Sequence, residues 1–212
     1  RHGAARAASI AAVALAALVA GAGPAAADPP RPTDYRSTVT AVTPATDAVR
    51  AEIVGGDAFL ELRVDEGHDV VVEGYGGEPY LRFRADGTVE RNVRSPGPYL
   101  NADRQGAVDL PARADAEADP EWEAVADGGT YAWHDHRIHW MAGSRPPGAE
   151  PGDVVQSWAV QLTVDGTATE VTGELVLVAR VSPVPWIALG IAGAAVVVVL
   201  GRRRPLVPAV AV

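Results

Sequence analysis

The strongest constraint on this chain is a two-residue alternation of apolar and polar side chains, repeated in short runs between glycine-containing turns. Leu60, Leu62 and Val64 alternate with charged residues, and the run around Leu81 and Phe83 repeats the pattern. Successive side chains of a β-strand point to opposite faces. Such runs therefore predict strands with one buried face and one solvated face.

Turn signals separate these runs at short intervals. The dipeptides Asp86-Gly87 and Asp165-Gly166 stand between strand-like segments, where they predict tight hairpins. About eight short strands in this rhythm predict an all-β fold, an immunoglobulin-like β-sandwich rather than a parallel sheet. The further strand-like segments are 35–42, 49–54, 70–72, 89–93, 158–164 and 167–181.

Two stretches interrupt the strand pattern. Residues 95–127 predict a long loop or a short helix, and residues 144–153, which contain three prolines, predict a second irregular loop. The acidic run at 115–123 lacks the glycine and the spacing of a calcium-binding loop, so it predicts a solvated face.

The N-terminal segment has the three parts of an export signal. A basic start is followed by an uncharged apolar stretch over residues 7–20 and by three alanines at 25–27 that fit a cleavage site. Residues 1–27 are therefore predicted to be a removable signal peptide, with the mature chain beginning at Asp28.

The C-terminal segment carries a second membrane signal. Residues 185–201 contain no charged side chain, Trp186 stands near the start of this stretch, and Arg202–Arg204 follow it. The pattern predicts one transmembrane helix over 185–201 and, by the positive-inside rule, a cytoplasmic tail over 202–212. The chain is thus expected to be a single-pass protein of the cell membrane, with an extracytoplasmic domain at 28–182.

The charge of the predicted domain restricts its partners. Residues 28–182 contain all 27 acidic residues of the chain against 13 arginines, which is a net formal charge of −14. Such a domain has no general positive field for nucleic acid or anionic lipid. Because the chain contains no cysteine, neither disulfides nor thiolate metal sites can hold the fold together.

Three short segments carry a resemblance to a group of known sequences. They are GEPYLRF at 77–83, SP with YLN within 95–101, and WHDHRIHWM at 133–141. In these segments the chain resembles a group of actinobacterial secreted single-span membrane proteins. The resemblance covers most of the exported domain and implies a Gram-positive cell surface. It brings no catalytic or ligand residues with it.

The third of these segments concentrates the chemistry of the chain. His134, His136 and His139 fall within six residues, and Met141 follows closely. In a strand, His134 and His136 would project from one face with their Cα atoms about 6.6 Å apart. His139 would fall on the opposite face unless a turn or bulge follows His136. Imidazole suits copper and zinc, and a thioether favours Cu(I). These four residues are the predicted metal ligands.

Other roles for this segment remain open from sequence. Dense His, Trp, Asp and Arg are also typical of a hydrogen-bonded network that stitches loops onto a sandwich, or of a pH-sensing or partner-docking surface. Asp135 and Arg137 are candidates to pair with neighbours, and the adjacent Trp rings are candidates to stack on Arg137. His68 is predicted to be a loop residue outside the cluster.

Signatures of the common enzyme classes are missing from the sequence. It has no Gly-x-Ser-x-Gly elbow, no His-Glu-x-x-His, no phosphate-binding glycine loop and no cysteine nucleophile. Metal-assisted hydrolysis would need a carboxylate such as Asp135 or Glu123 beside the metal, and nothing in the sequence places one there. The expectation is a non-enzymatic cell-surface binding protein, with a structural or protein-interaction role in the envelope as the alternative.

Overall fold

The computed structural model describes residues 33–180 and 182–202. The predicted signal peptide at 1–27 and tail residues 203–212 lie outside the described residues. The chain divides into two units at Val178, and each unit is described by itself.

The first unit contains ten described strands, one short helix and one turn of 3-10 helix. Helix α1 is Gly97–Leu100, and the 3-10 turn is His136–Ile138. The strands are β1 (Tyr35–Thr43), β2 (Val49–Val54), β3 (Phe59–Val64), β4 (Val70–Glu73), β5 (Pro79–Phe83), β6 (Val89–Asn92), β7 (Trp122–Ala126), β8 (Thr130–Trp133), β9 (Val154–Val164) and β10 (Thr167–Leu177).

These strands form two antiparallel sheets. The larger sheet has the order β1-β10-β9-β4-β5-β6-β7, and the smaller sheet has the order β2-β3-β8. All pairs of neighbouring strands are antiparallel. The predicted all-β fold is therefore confirmed.

Both predicted hairpins are present. Asp165 and Gly166 have φ angles of 49° and 80° and join β9 to β10. Gly87, with a φ of 85°, lies in the turn between β5 and β6. Asp and Gly tolerate the left-handed backbone that tight hairpin turns require, which is why these dipeptides predicted the turns.

The core forms where apolar faces of the two sheets meet. Leu60 and Leu62 of the smaller sheet belong to one buried cluster with Phe83, Val160 and Leu162 of the larger sheet. The residues between these buried positions in β3 and β9 are partly or fully exposed, as the two-residue pattern predicted. Trp133 and Ile138 join the same cluster, so the histidine-rich segment is anchored in the core at two points.

One strand contradicts the sequence prediction. Residues 95–127 were predicted to contain only a loop or a short helix, and the structure places β7 at their end. This strand lies at the edge of the larger sheet and pairs only with β6. Because Glu123 and Ala124 are both exposed, β7 lacks the alternation that identifies half-buried strands. The short helix itself is found, as α1, and residues 144–153 contain neither helix nor strand.

The second unit contains helix α2, Val184–Arg202. Among the residues that the structure describes, no helix combines the length and the apolar character needed to cross a membrane. The span over residues 185–201 stays a prediction.

A glycine in the larger sheet makes room for a buried tryptophan. Gly173 of β10 lies opposite Trp158 of β9, and a Cβ at this position would overlap the Trp158 ring and the carbonyl oxygen of Thr38. The Trp158 indole donates a 2.8 Å hydrogen bond to Ser37 Oγ. Packing and this hydrogen bond therefore hold the indole in place, so it cannot easily move aside for a larger side chain at position 173.

We predict that Gly173→Ala destabilises the domain by about 1–3 kcal/mol, because an extra methyl group overpacks a filled core. The measurement is the free energy of unfolding in urea. Gly143→Ala is the matched control, since a Cβ there meets no atom within 4 Å. Equal stability of the two variants would contradict the packing account.

Candidate metal centre

The histidine segment is not the continuous strand that His-x-His spacing suggested. Strand β8 ends at Trp133, and residues His136–Ile138 form a turn of 3-10 helix. This turn reverses the direction of the side chains and brings His139 to the same side as His134. The condition stated from sequence, a turn after His136, is therefore met.

Asp135 and Ile138 fix this turn. The Asp135 carboxylate accepts a 3.0 Å hydrogen bond from the Arg137 backbone N–H. The backbone carbonyl oxygen of Asp135 accepts a hydrogen bond from the Ile138 N–H. This is the hydrogen bonding of an N-cap residue. Ile138 is completely buried in the core, which holds the turn against the sheets.

The three histidine rings converge. One ring nitrogen of each of His134, His136 and His139 lies within 4.8 Å of the other two. The ring centroids of His134 and His139 are 4.6 Å apart, and each is 5.4 Å from that of His136. The structure thus brings together three of the four predicted ligands.

Each imidazole uses one nitrogen to bond a backbone carbonyl. His134 Nδ1 lies 2.9 Å from the Ala58 oxygen, and His136 Nε2 lies 2.9 Å from the Asp103 oxygen. His139 Nδ1 lies 3.2 Å from the Trp140 oxygen. Because a carbonyl oxygen only accepts, the bonded nitrogen of each neutral ring must carry the proton. The other nitrogen of each ring therefore keeps a free lone pair.

Two of these lone pairs are buried without a partner. His134 Nε2 and His139 Nε2 are inaccessible to solvent and have no hydrogen bond within the described residues. Most buried polar atoms in proteins are hydrogen-bonded, so an orphaned pair in one cluster requires an explanation. A metal ion bound by both lone pairs would supply one.

The surroundings of His134 and His139 favour the neutral form of these two rings. Burial, followed by the charge of Arg104, lowers the pKa of His139 to about 3. Burial and the neighbouring His136 lower the pKa of His134. Neutral imidazole is the form that binds metal ions, so these histidines would not need to lose a proton at neutral pH.

The loop around residues 103–106 covers His136. Gly106 has a φ of 67°, and a Cβ there would lie 2.9 Å from His136 Cε1 and 3.4 Å from its Nδ1. Arg104 of the same loop forms a 2.6 Å ion pair with Asp57. The sequence analysis did not identify this loop, because its contribution comes from a carbonyl oxygen and from a missing side chain.

Tyr75 supports His136 from another direction. Its hydroxyl accepts a 2.9 Å hydrogen bond from the His136 backbone N–H and donates one to Asn101 Oδ1. The Tyr75 and His136 rings stack with centroids 5.8 Å apart. Nothing in the sequence pattern singled out Tyr75.

The remaining predicted residues lie as follows. Met141 is 38% exposed, and its role as a ligand stays a prediction. His68 lies in the loop between β3 and β4, and its Nδ1 is 2.7 Å from Oδ2 of Asp165 in the β9–β10 turn. Glu123 pairs with Arg91 at 3.3 Å.

The same segment also contains a hydrogen-bonded network that attaches it to the sandwich, which is the alternative role considered from the sequence. Arg137 contacts both carboxylate oxygens of the buried Asp135, at 2.9 and 2.7 Å, and the Trp133 indole donates to the second oxygen at 2.9 Å. The Arg137 guanidinium lies over Tyr75, 5.1 Å from the ring centroid; stacking with a neighbouring tryptophan was one option left open by the sequence. Counting the Arg137 backbone N–H, the Asp135 carboxylate thus accepts hydrogen bonds from four N–H groups and is not free to act as a base.

The donor set indicates which ions fit. Three imidazoles without a carboxylate suit copper or zinc rather than calcium or magnesium. Two nitrogen ligands at about 2.0–2.1 Å from a tetrahedral metal are about 3.3 Å apart. The ring nitrogens here lie within 4.8 Å of one another, so side-chain rotations that bring them about 1.5 Å closer would let them share one ion. Comparison with protein-family models, with curated proteins and with solved structures finds no match for this chain.

The depressed pKa of His139 predicts a pH-dependent stability. The unfolded chain binds a proton at this residue below about pH 6.5, whereas the folded chain does so only near pH 3. Stability is therefore lost as the pH falls from about 6.5 towards about 3, and His134 acts in the same direction. For His139, the loss at about pH 4 is on the order of 3 kcal/mol.

The free energy of unfolding of the His139→Leu variant, measured without metal, tests this prediction. Its free energy of unfolding should fall less than that of the wild type between about pH 7 and about pH 4, because leucine has no proton to bind. Gly143→Ala, which adds no titratable group and places its Cβ more than 4 Å from any other atom, is the control and should retain the wild-type slope. A His139→Leu slope equal to that of the wild type would contradict the prediction.

Proposed function

We propose that this protein is a non-enzymatic binding protein that holds a copper or zinc ion between His134, His136 and His139. One observation carries the proposal. Three imidazole rings converge to within 4.8 Å through one nitrogen each, and two of them have a buried Nε2 without a hydrogen-bond partner.

The hydrogen bonds around the cluster support this proposal. Metal-binding histidines nearly always donate their other ring N–H to a carbonyl or carboxylate, which fixes the tautomer and the ring orientation. His134 and His136 have such bonds to Ala58 and Asp103 at 2.9 Å. A purely structural histidine would be expected to use both of its ring nitrogens or to expose one of them.

The alternative role, a loop-stitching or protein-interaction segment, explains a different set of side chains. Trp133, Asp135 and Arg137 bond one another, and Arg137 Nη1 donates a 3.2 Å hydrogen bond to the carbonyl oxygen of Glu73. These contacts secure the segment to the sandwich. These contacts do not explain why the three histidine rings lie together. For this reason we favour metal binding.

The proposal also includes the cellular arrangement predicted from sequence. We propose that the two-sheet domain is immunoglobulin-like and extracytoplasmic, and that residues 185–201 anchor it as a single membrane span. The export signal over 1–27, the uncharged stretch at 185–201 and Arg202–Arg204 support this arrangement. A strongly acidic domain at the outer surface would also attract cations.

We predict that the metal-free protein binds one equivalent of copper or zinc with a dissociation constant below the micromolar range. His134→Ala combined with His136→Ala should weaken this binding at least about 100-fold, because two of three ligands are removed. Calorimetric titration with Cu(I), Cu(II) and Zn(II) measures the effect. His68→Ala is the matched control and should bind as the wild type does. Equal binding by the double variant and the wild type would refute the site.

A separate prediction concerns the orientation in the membrane. Protease added to intact protoplasts should remove an epitope inserted in the 144–153 loop and spare an epitope placed after Arg204. The proposed orientation has the domain outside and the basic tail inside. Protection of the loop epitope would show that the orientation is wrong.

A further inference from the structure

We propose that the ion selected by the cluster is monovalent copper, Cu(I), and that Arg104 sets this preference by holding a fixed positive charge beside the three histidines. This inference rests on the proposed function and adds to it the charge of the bound ion and the residue that determines it.

The position of Arg104 follows from its neighbours along the chain. Arg104 comes directly after Asp103, whose carbonyl oxygen holds His136, and it pairs at 2.6 Å with Asp57. Asp57 comes directly before Ala58, whose carbonyl oxygen holds His134. The ion pair therefore ties together the two chain segments that orient these two rings.

The positive end of this ion pair acts on the cluster. Burial is the largest cause of the lowered pKa of both His139 and His134. The positive charge of Arg104 is the second cause at His139 and a smaller one at His134, where His136 contributes more. Asp57 is almost completely buried, and its carboxylate also accepts a 2.8 Å hydrogen bond from Thr33. The Asp57 carboxylate is thus held by two donors, the Arg104 guanidinium and the Thr33 hydroxyl.

Among the described residues, the clustered potential ligands include no carboxylate. Asp57 and Asp135 are buried nearby, and an arginine holds each of them in an ion pair. A bound Zn²⁺ or Cu²⁺ would therefore bring two positive charges into a partly buried site near a guanidinium, with no anionic ligand among the three histidines to balance them.

The charge of the ion decides how much this environment opposes binding. Repulsion from Arg104 is twice as large for a divalent ion as for a monovalent ion, and the cost of removing an ion from water rises with the square of its charge. Imidazole suits copper, and Cu(I) carries the smaller charge. The site therefore disfavours the divalent ions relative to Cu(I).

The test compares the affinities of the full-length protein for Cu(I) and Zn(II). Cu(I) is supplied without oxygen and in competition with a chelator of known affinity, and Zn(II) is titrated in the same way. The wild type should bind Cu(I) more tightly than Zn(II). Arg104→Gln should raise the affinity for Zn(II) at least about tenfold more than the affinity for Cu(I), because the removed repulsion is twice as large for the divalent ion.

Two further variants control this experiment. Arg50→Gln removes the same charge from an exposed ion pair with Asp65 and should leave both affinities unchanged. Asp57→Asn with Arg104→Gln removes both charges and avoids leaving a buried carboxylate unpaired. It should raise the affinity for Zn(II) more than the affinity for Cu(I), and it replaces Arg104→Gln in the test if that single variant does not fold.

The possible failures are distinguishable. Zn(II) binding tighter than Cu(I) in the wild type overturns the inference, and so does an equal change of both affinities in the Arg104 variants. Either result leaves the proposed function intact, since both require a metal site. Failure of the wild type to bind any of the metals overturns the proposed function together with the inference.

Discussion

The buried carboxylate of Asp135 is the interaction on which the histidine-rich segment depends. It is completely inaccessible to solvent and accepts hydrogen bonds from the Trp133 indole and from the backbone and guanidinium of Arg137. Burial raises the pKa of Asp135, but the hydrogen bonds and charge of Arg137 outweigh this effect and lower it. A buried carboxylate is tolerated only when it is paired and fully hydrogen-bonded, so this network fixes the turn that follows β8.

This turn separates two kinds of side chain along one short segment. Trp133, Asp135 and Arg137 bond one another and attach the segment to the sandwich, while the rings of His134 and His139 lie beside each other in the histidine cluster. The first group accounts for the stability of the segment. It also holds the three histidines with one ring nitrogen each within 4.8 Å of the other two, so the predicted ligands lie close together before a metal ion binds.

The sequence predicted the parts of the fold that depend on local pattern. Alternation around Leu60 and Phe83 identified β3 and β5, and the Asp165-Gly166 dipeptide identified a hairpin. Strand β7 escaped detection because an edge strand needs no apolar face to pair with its neighbour. The cluster was predicted only in part. The position of His139 depends on the burial of Ile138, which is a tertiary contact rather than a local pattern.

The groups that orient the histidines had no sequence signature at all. Ala58 and Asp103 contribute carbonyl oxygens, which every residue possesses, and Gly106 contributes the absence of a side chain. Their roles arise from the chain path that the two sheets impose. Sequence spacing alone can therefore suggest metal ligands, but only the fold shows whether their ring nitrogens lie close together.

X-ray absorption spectroscopy of the metal-loaded protein tests the central claim most directly, because it reports the ligands of the bound ion itself. The account predicts three imidazole nitrogens at about 2.0–2.1 Å from the metal, with the multiple-scattering pattern of histidine rings. A spectrum dominated by carboxylate or water oxygens, without imidazole scattering, would place the ion elsewhere and contradict the account.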